Sequence, residues 1–507
     1  MHRMALTWSL SICFACSLPA GPFIYGQAPA KVPAPAPVPA HPRYLKYPAL
    51  KYAPPKAAEC RQALANGAVG YFVEDHDLPL VNISVTIRTG SYLDPAGKAG
   101  LASATASQMR AGGTAHYKAE AFDEEADFLA AEISSAAGGT SASASINFMV
   151  KDTDKSLELF FDMLRNPAFQ QDRLNLFKSQ ELQAIERRND RTDEIEGREW
   201  NRLMRGDRHF TSILVTKDSI TSIAREDLVE FHKKYYHPSN FIFAVSGDFK
   251  TAEMKARLEK QMADWPDSGP TVTKAPKPDY VLNPGIYLVN KPDVNQARVS
   301  IGHLGIIRGN PDEYAIDMMN EILGGAGFSS RIMNRVRTDE GLAYDAGSSF
   351  SVGVYYEGLF RAAFQSKSAT AAQATQIVLD EIDRMRNAKV TVEELETVKN
   401  QAIEIFPRYF ASARSVAATF AGDEYTGRDP RYWETYRDKV KAVTVDDVQR
   451  VAREYLHPDK LVILAVGNAE DVLKGSPEKP EISFNKIMSG KIVRIPLPDP
   501  ATMIYPK

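Results

Sequence analysis

A glycine-rich stretch followed by Arg337 and Tyr344 is the first candidate for chemistry in this chain. The stretch covers residues 323–332, and Arg337 and Tyr344 follow it in the pattern Arg-x6-Tyr. A phosphate-binding loop is disfavoured, because no Lys-Ser/Thr follows the glycines and no G-x-G-x-x-G motif is completed. A purely structural alternative takes the glycines as a helix C-terminus and Arg337 as a solvated charge. The chemistry open to the pair is hydrogen-bond donation, since Arg offers a fixed fork of donors and Tyr a hydroxyl.

Histidine and cysteine, which often hold zinc or act as nucleophiles, are sparse. The nine His residues are scattered, and neither H-x-x-E-H nor H-E-x-x-H is present. His232 and His237 lie close together, but His457 repeats His237 in the second half of the chain, which favours a structural turn. We interpret Cys60, the single Cys outside residues 1–28, as an ordinary small apolar residue. The sequence therefore predicts no catalytic zinc site in this chain, and no local Ser/His/Asp signature indicates a non-metal mechanism.

The composition is that of a large globular protein. The chain has 507 residues, of which 44% are apolar and 25% charged, and its formal net charge is -3. That length can bury a large core and is enough for about two to four ordinary domains. Charges of both signs are interspersed, with no basic patch and no acidic tail. Electrostatics therefore identify no partner, and we expect no nucleic acid.

The first residues have the pattern of a secretory signal peptide, predicted over residues 1–28. A short basic start precedes an apolar run, and small residues at 26–28 offer a cleavage site. A retained membrane anchor is the alternative, but Pro19 and Gly21 interrupt the run before the roughly 20 residues that a spanning helix needs. We expect an exported protein, periplasmic or secreted, with no stable membrane span after cleavage.

Two proline-bearing segments divide the chain. A Pro/Ala-rich tether is predicted over residues 29–57, because its composition favours extended conformations and cannot bury a core. A linker is predicted over residues 269–283. These breaks predict an N-terminal domain over residues 58–268, a C-terminal domain over residues 284–475 and a tail over residues 476–507.

The two halves repeat one pattern. Residues 223–247 run from an acidic helix start through Tyr-Tyr-His-Pro to an apolar strand that ends in Gly. Residues 443–467 repeat this order with Tyr-Leu-His-Pro, and equivalent positions such as Asp227 and Asp447 differ by 220. Ungapped spacing of this kind indicates an internal duplication.

Periodicity predicts the elements that position these residues. Residues 81–87 alternate apolar and polar side chains, the pattern of a strand with one buried face. Helices are predicted over residues 372–385 and after the capping box Thr391-x-x-Glu394. Blocks of strands and helices predict an α+β fold of two homologous domains, each an antiparallel-rich sheet with helices packed mainly on one face.

Residues 100–114 form the most informative stretch of the first half. Gly-Leu-Ala at 100–102 leads into a helical run, and Gly-Gly-Thr follows at 112–114. Together with the duplication, this stretch resembles the pitrilysin/insulinase family of zinc peptidases, which includes the mitochondrial processing peptidases and bacterial relatives. In that family an inverted H-x-x-E-H helix supplies two imidazoles for zinc and a Glu that takes a proton from the bound water.

None of the zinc ligands that this resemblance implies is present. The three motif positions and the third-ligand position, a Glu on a later helix in the family, fall on or near these residues: Ser103, Ala106, Ser107 and Ala184. Glu181 and Glu186 flank Ala184 but point elsewhere on a helix. The resemblance therefore implies no catalytic residue and no metal or cofactor bound by this chain.

The resemblance also suggests a role for Arg337 and Tyr344. In the family an arginine and a tyrosine at this spacing hold the substrate backbone near the scissile bond. Bacterial members include pairs in which one chain carries the zinc motif and the other the arginine-tyrosine pair, each chain forming half of a clam shell. The leading hypothesis is a zinc-less subunit that binds peptide and completes the site of a homologous, zinc-bearing partner with H-x-x-E-H.

Two alternatives stay open. A structural or peptide-binding protein of the same fold, without any role in proteolysis, would carry Arg337 and Tyr344 as residual features. A peptidase with an unconventional site of its own is the other alternative, and metal analysis tests it, because stoichiometric zinc in the purified chain would overturn the leading hypothesis.

Overall fold

Two six-stranded sheets, one in each half of the chain, organise the fold. A computed structural model describes residues 51–266, 274–487 and 492–506, and the described residues from Tyr52 onward form one compact unit. The strands of the first half are β1 (Arg61–Ala63), β2 (Val69–Glu74), β3 (Leu80–Ile87), β4 (Glu132–Ala137), β5 (Ala142–Met149) and β6 (Phe241–Gly247). Their spatial order is β1-β2-β6-β3-β5-β4, antiparallel throughout except for the parallel pair β2-β6.

The second sheet repeats this layout with one different edge strand. The strands of the second half are β7 (Gly285–Asn290), β8 (Gln296–Leu304), β9 (Ile306–Ile307), β10 (Ala343–Phe350), β11 (Val352–Gly353), β12 (Leu359–Lys367), β13 (Val462–Gly467) and β14 (Ile492–Ile495). Six of them form a sheet in the order β10-β12-β8-β13-β7-β14, while β9 and β11 pair separately. The added edge β14 comes from the predicted tail and runs parallel to β7.

Helices follow the strands in the same order in both halves. Those of the first half are α1 (Ala57–Cys60), α2 (Leu101–Ala111), α3 (Ala119–Phe128), α4 (Thr153–Arg165), α5 (Gln171–Arg187), α6 (Thr192–Arg205), α7 (Lys217–Ser222), α8 (Arg225–Tyr235) and α9 (Thr251–Met262). Those of the second half are α10 (Glu313–Asn320), α11 (Arg331–Met333), α12 (Ala371–Asn387), α13 (Val392–Ile405), α14 (Ala413–Thr426), α15 (Tyr432–Ala442), α16 (Val445–Tyr455) and α17 (Ala469–Lys474). Turns of π-helix follow α10 and α11, at Glu321–Gly325 and Asn334–Asp339.

One helix of each half packs on the sheet of the other half. Helix α6 of the first half lies across β13 and β8 of the second sheet, and α14 of the second half lies across β6 and β2 of the first. Both helices are 14 residues long. Trp200 and Leu203 of α6 are buried in one apolar cluster with Val462 and Leu464 of β13. The two halves therefore share their cores.

The tail also joins the two halves. After β14, the backbone carbonyl of Ala501 accepts a hydrogen bond from the N–H of Lys217 at 2.8 Å. The hydroxyl of Tyr505 donates to the carboxylate of Glu199 at 2.7 Å. Glu199 is fully buried on α6 and also accepts hydrogen bonds from Arg198 and Arg202. The last described residues thus contact the first half as well as the second sheet.

The predicted elements are confirmed where local pattern determines them. In β3 every second residue from Val81 to Ile87 is buried. The box at Thr391 caps α13, with the Glu394 N–H bonded to the Thr391 hydroxyl at 3.1 Å and the Thr391 N–H bonded to the Glu394 carboxylate at 2.7 Å. Helices α8 and α16 begin and end 220 residues apart, as the duplication predicts. The predicted signal peptide and most of the tether lie outside the described residues.

Candidate functional site

Helix α2 carries the positions at which the resemblance places the zinc motif, and its N-terminus is well capped. Gly100 precedes it with φ +98°, a left-handed conformation that favours glycine. The Asp94 carboxylate caps the helix by accepting the N–H groups of Gly100 and Ala102, each at 2.8 Å. Burial raises the pKa of Asp94 to about 6, against the lowering effect of these hydrogen bonds. The N-terminus of α2 is therefore fixed by hydrogen bonds, although the helix has no zinc ligands at the motif positions.

The side chains of α2 and α5 do not fit a zinc ion. Ser103 and Ser107 lie one turn apart on the open face of α2, Ala106 is fully buried, and Ala184 is exposed on the neighbouring helix α5. Zinc needs thiolate, imidazole or carboxylate ligands, and none of these positions offers one. Among the residues that the structure describes, no group of three or more His, Cys, Asp and Glu side chains could hold a metal ion.

Cys60 does not suit nucleophilic chemistry either. The residue is buried, as predicted for a small apolar side chain, and its thiol contacts the backbone carbonyl of Lys56. Burial raises the pKa of the Cys60 thiol to about 11. The thiol therefore stays protonated near neutral pH, whereas a reactive cysteine needs a thiolate.

Arg337 and Tyr344 lie in direct contact. The guanidinium carbon of Arg337 is 4.5 Å from the centre of the Tyr344 ring and 4.6 Å from that of Phe328. Tyr344 is 82% exposed and Phe328 67% exposed. The Arg337 guanidinium makes no hydrogen bond or ion pair with any described side chain, so its donors are free while two aromatic rings orient it.

A π-helical turn and two glycines place this pair beside an open sheet edge. Arg337 belongs to the wide turn Asn334–Asp339, and Tyr344 lies on edge strand β10 at a break in its register with β12. A Cβ on Gly324 would come within 2.4 Å of the Ser348 backbone nitrogen, and one on Gly347 within 2.8 Å of the Gly324 carbonyl oxygen. Gly324 and Gly347 thus allow the turn after α10 to pack closely against β10, and for Gly324 this is a role beyond the alternative of a simple helix end.

A cavity of about 580 Å³ opens next to the pair and reaches α6, the helix of the first half that packs on the second sheet. Besides Arg337 and Tyr344, its charged lining residues are Glu196, Arg298, Asp345, Arg361 and Lys367. Glu196 comes from the first half, whereas the other lining residues belong to the second half. Sequence patterns did not single out these side chains, because a polar face on a strand ordinarily indicates solvent.

The cavity beside Arg337 and Tyr344 does not include the positions at which the resemblance places the zinc ligands. No residue of α2 or α5 lines the cavity beside Arg337. The predicted positions Ser103, Ala106, Ser107 and Ala184 therefore do not meet the pair within this cavity. Within this chain, the zinc-motif positions and the Arg337–Tyr344 pair therefore do not line a common cavity.

Comparison with known proteins identifies related peptidase-family sequences. Residues 72–210 match the family described as Insulinase (Peptidase family M16), and residues 222–402 match the Peptidase M16 inactive domain. Non-peptidase homolog YmxG of Helicobacter pylori is 23% identical over 402 residues, covering 78% of this chain and 91% of that protein. Uncharacterized zinc protease YmxG of Bacillus subtilis is 23% identical over 312 residues, covering 61% and 74%.

Solved structures share the fold. The crystal structure of a peptidase M16 inactive domain from Pseudomonas fluorescens has a TM-score of 0.71 at 24% identity, covering 80% of this chain and 97% of that one. This likeness confirms the predicted α+β class with two homologous domains. The two family matches together cover more than half of the chain and show that it belongs to the insulinase (M16) family of peptidases, as a zinc-less member without H-x-x-E-H.

Proposed function

We propose that this chain is the zinc-less subunit of a heteromeric metallopeptidase. It binds peptide through Arg337 and Tyr344 and completes the active site of a homologous partner that carries H-x-x-E-H. The observation that carries the proposal is the Arg337–Tyr344 contact: an oriented guanidinium without a hydrogen-bond partner among the described side chains, beside an exposed tyrosine and an open cavity. Aromatic residues and Arg are enriched at protein interfaces relative to the rest of the surface.

The chemistry of the pair suits a peptide backbone. Arg337 offers several N–H donors in a fixed plane, which can bind a peptide carbonyl. The Tyr344 hydroxyl can donate to the same oxygen as negative charge develops on it. Zinc held by the partner would supply the activated water. In this chain Ser103, Ala106 and Ser107 offer no zinc ligand, which supports the proposal that the metal is held by a second chain.

The proposal includes export, to the periplasm or outside the cell. Residues 1–28 support it through their apolar run and small-residue cleavage site. Among the described residues every helix is too short or too polar to span a bilayer. Peptide or unfolded polypeptide is the substrate class that the Arg337–Tyr344 pair suits.

The experiment is peptide hydrolysis by this chain co-purified with a homologue that contains H-x-x-E-H. Arg337→Gln and Tyr344→Phe should each lower kcat/KM of the assembled enzyme by about a hundredfold, the usual loss for one transition-state donor. Arg208→Gln is the matched control, because Arg208 is a largely exposed arginine with one surface ion pair. Full activity of both variants in an intact complex would favour a structural or peptide-binding protein without a role in proteolysis.

A further inference from the structure

The second sheet carries a group of cationic side chains beside the Arg337–Tyr344 pair. Arg298 on β8 and Arg361 and Lys367 on β12 line the same cavity as Arg337. The carboxylates in this lining are Glu196 and Asp345. Cations therefore outnumber anions around the cavity.

Arg361 is already neutralised. Its Nη2 donates to both carboxylate oxygens of Glu196, at 2.6 and 2.7 Å, and its Nε donates to the Ser300 hydroxyl at 2.8 Å. Glu196 is buried, so this ion pair is a fixed part of the cavity wall. The surplus positive charge comes from the other cations.

Arg298 and Lys367 keep donors available. Arg298 Nη1 donates to the Gln365 side-chain oxygen at 3.0 Å, and Gln365 in turn donates to Gln296 at 2.8 Å. This contact fixes the Arg298 guanidinium through one nitrogen and leaves its other nitrogens for a ligand. Lys367 is exposed, and its ammonium group makes no hydrogen bond or ion pair with a described residue.

The first sheet shows that the fold does not require these charges. In the second sheet Arg298 on β8 pairs with Gln365 on β12. The equivalent pair of the first sheet is Asn82 on β3 and Asn147 on β5. There the Asn147 amide donates to the Asn82 side-chain oxygen at 2.7 Å. The strands lining the matching cavity of the first half contribute Asn, Ser, apolar residues and Glu132, while its arginines, Arg110 and Arg414, come from helices α2 and α14. Positive charge at this position is thus specific to the half that carries Arg337 and Tyr344.

We propose that this cavity binds a carboxylate group of the peptide held by Arg337 and Tyr344, with Arg298 and Lys367 as its donors. The inference rests on the proposed function and adds a substrate preference to it. The carboxylate comes either from an Asp or Glu side chain or from the peptide C-terminus. Guanidinium and ammonium groups form charge-assisted hydrogen bonds with carboxylates, and a concave site screens them less than open solvent does.

The test is retention of short synthetic peptide pools on the immobilised full chain. The pools are random except at a central position fixed as Glu or Gln, each with a free or an amidated C-terminus. Wild type should retain the Glu pool or the free-carboxylate pool about tenfold better than its uncharged twin, the gain expected from one charge-assisted hydrogen bond. The pool that shows the preference identifies the source of the carboxylate.

Variants separate this cavity from general electrostatics. Arg298→Gln and Lys367→Gln should each reduce the preference, and added salt should weaken it. Arg414→Gln, which removes an exposed arginine from the matching cavity of the first half, should leave it unchanged. Circular dichroism checks that each variant is folded, and the exposed position of Lys367 keeps the test valid should Arg298→Gln fail to fold.

The inference and the proposed function fail in different ways. Equal retention of charged and uncharged pools by wild type, or no retention of any pool, overturns the carboxylate site. A preference that survives both Arg298→Gln and Lys367→Gln overturns it as well. Undiminished hydrolysis by the assembled Arg337→Gln and Tyr344→Phe enzymes contradicts the proposed function and leaves the carboxylate preference to be judged by the pools.

Discussion

Arg361 of the second half makes two hydrogen bonds to Glu196 of the first half, at 2.6 and 2.7 Å. Glu196 lies on the exchanged helix α6 and is buried, while the guanidinium of Arg361 also packs near the Trp200 ring, 5.6 Å from its centre. A carboxylate buried in this way needs its partner, because an uncompensated buried charge is strongly destabilising. The contact therefore fixes α6 on the second sheet.

Replacing Arg361 tests this contact. We expect Arg361→Gln to lower the free energy of unfolding by about 3 kcal/mol, because Glu196 stays buried without a counter-charge. Urea denaturation followed by circular dichroism measures the change. Arg187→Gln on the exposed side of α5 is the control, with an expected change within ~0.5 kcal/mol. Equal stability of both variants would show that the ion pair does not hold the helix.

The tail hydroxyl at Tyr505 gives a second prediction. Tyr505→Phe should destabilise the protein by about 2 kcal/mol, since the buried Glu199 loses one hydrogen bond to its charged carboxylate. Tyr287→Phe is the matched control: its hydroxyl donates to the Asn283 carbonyl at an exposed position, so about 1 kcal/mol or less is expected. Thermal unfolding of both variants and wild type measures the two destabilisations. A larger destabilisation by Tyr287→Phe than by Tyr505→Phe would contradict the role of the tail.

Glu394 makes stability depend on pH. Burial alone would raise its pKa, but hydrogen bonds from Arg331 and Thr391 outweigh it and lower the pKa from 4.5 to about 2. A lowered folded-state pKa stabilises the protein above the unfolded value, near 4.5, and this contribution is lost as the pH falls toward 2. Because solvent screens this half-buried carboxylate, Glu394→Gln should destabilise the protein at pH 7 by about 1 to 2 kcal/mol, less than the full pKa shift would give.

The pH profile distinguishes this charge effect from a packing defect. The difference in unfolding free energy between wild type and Glu394→Gln should shrink as the pH falls below about 5. Urea denaturation at pH 7 and at several acidic values measures it. A difference that stays constant over this range would mean that the ionised carboxylate contributes nothing and that the variant only disturbs packing.

Gly324 gives a prediction about close packing. Gly324→Ala should destabilise the protein by about 2 kcal/mol, because its Cβ would meet the backbone of Ser348 on β10 at 2.4 Å. Gly422→Ala on helix α14 is the opposite case: no atom lies within 4 Å of the added Cβ, and an alanine there should stabilise by about 1 kcal/mol. Chemical denaturation of both variants should show effects of opposite sign. Stabilisation by Gly324→Ala would rule out the tight contact.

Much of the fold could be predicted because the relevant patterns are local. Alternation in residues 81–87, the capping box at Thr391 and the 220-residue offset all follow from residues near one another or from a direct comparison of the halves. The helix exchange could not be predicted in this way. The apolar face of α6, with Ile195 and Leu203, shows only that the helix is buried and does not identify the sheet that covers it.

The candidate site was also predictable only where its residues are close together in the sequence. The spacing of Arg337 and Tyr344 was found from the sequence, and the structure places the two side chains in contact. Their role in substrate binding stays a prediction. Arg298 and Lys367 were missed, because they lie around the Arg337–Tyr344 pair only in the folded chain and no short motif links them to it. Phe328 lies within the glycine-rich stretch, but its contact with Arg337 was not predicted.

The reciprocal placement of α6 and α14 also bears on how such a chain could have arisen. Two separate copies of a single half would cover their sheets in this same manner if they formed a helix-swapped homodimer. The protein is laid out as such a dimer fused end to end. A half produced alone would expose the apolar sheet face that its sister's helix normally covers, so we expect it to pair with a second copy of itself rather than persist as a monomer.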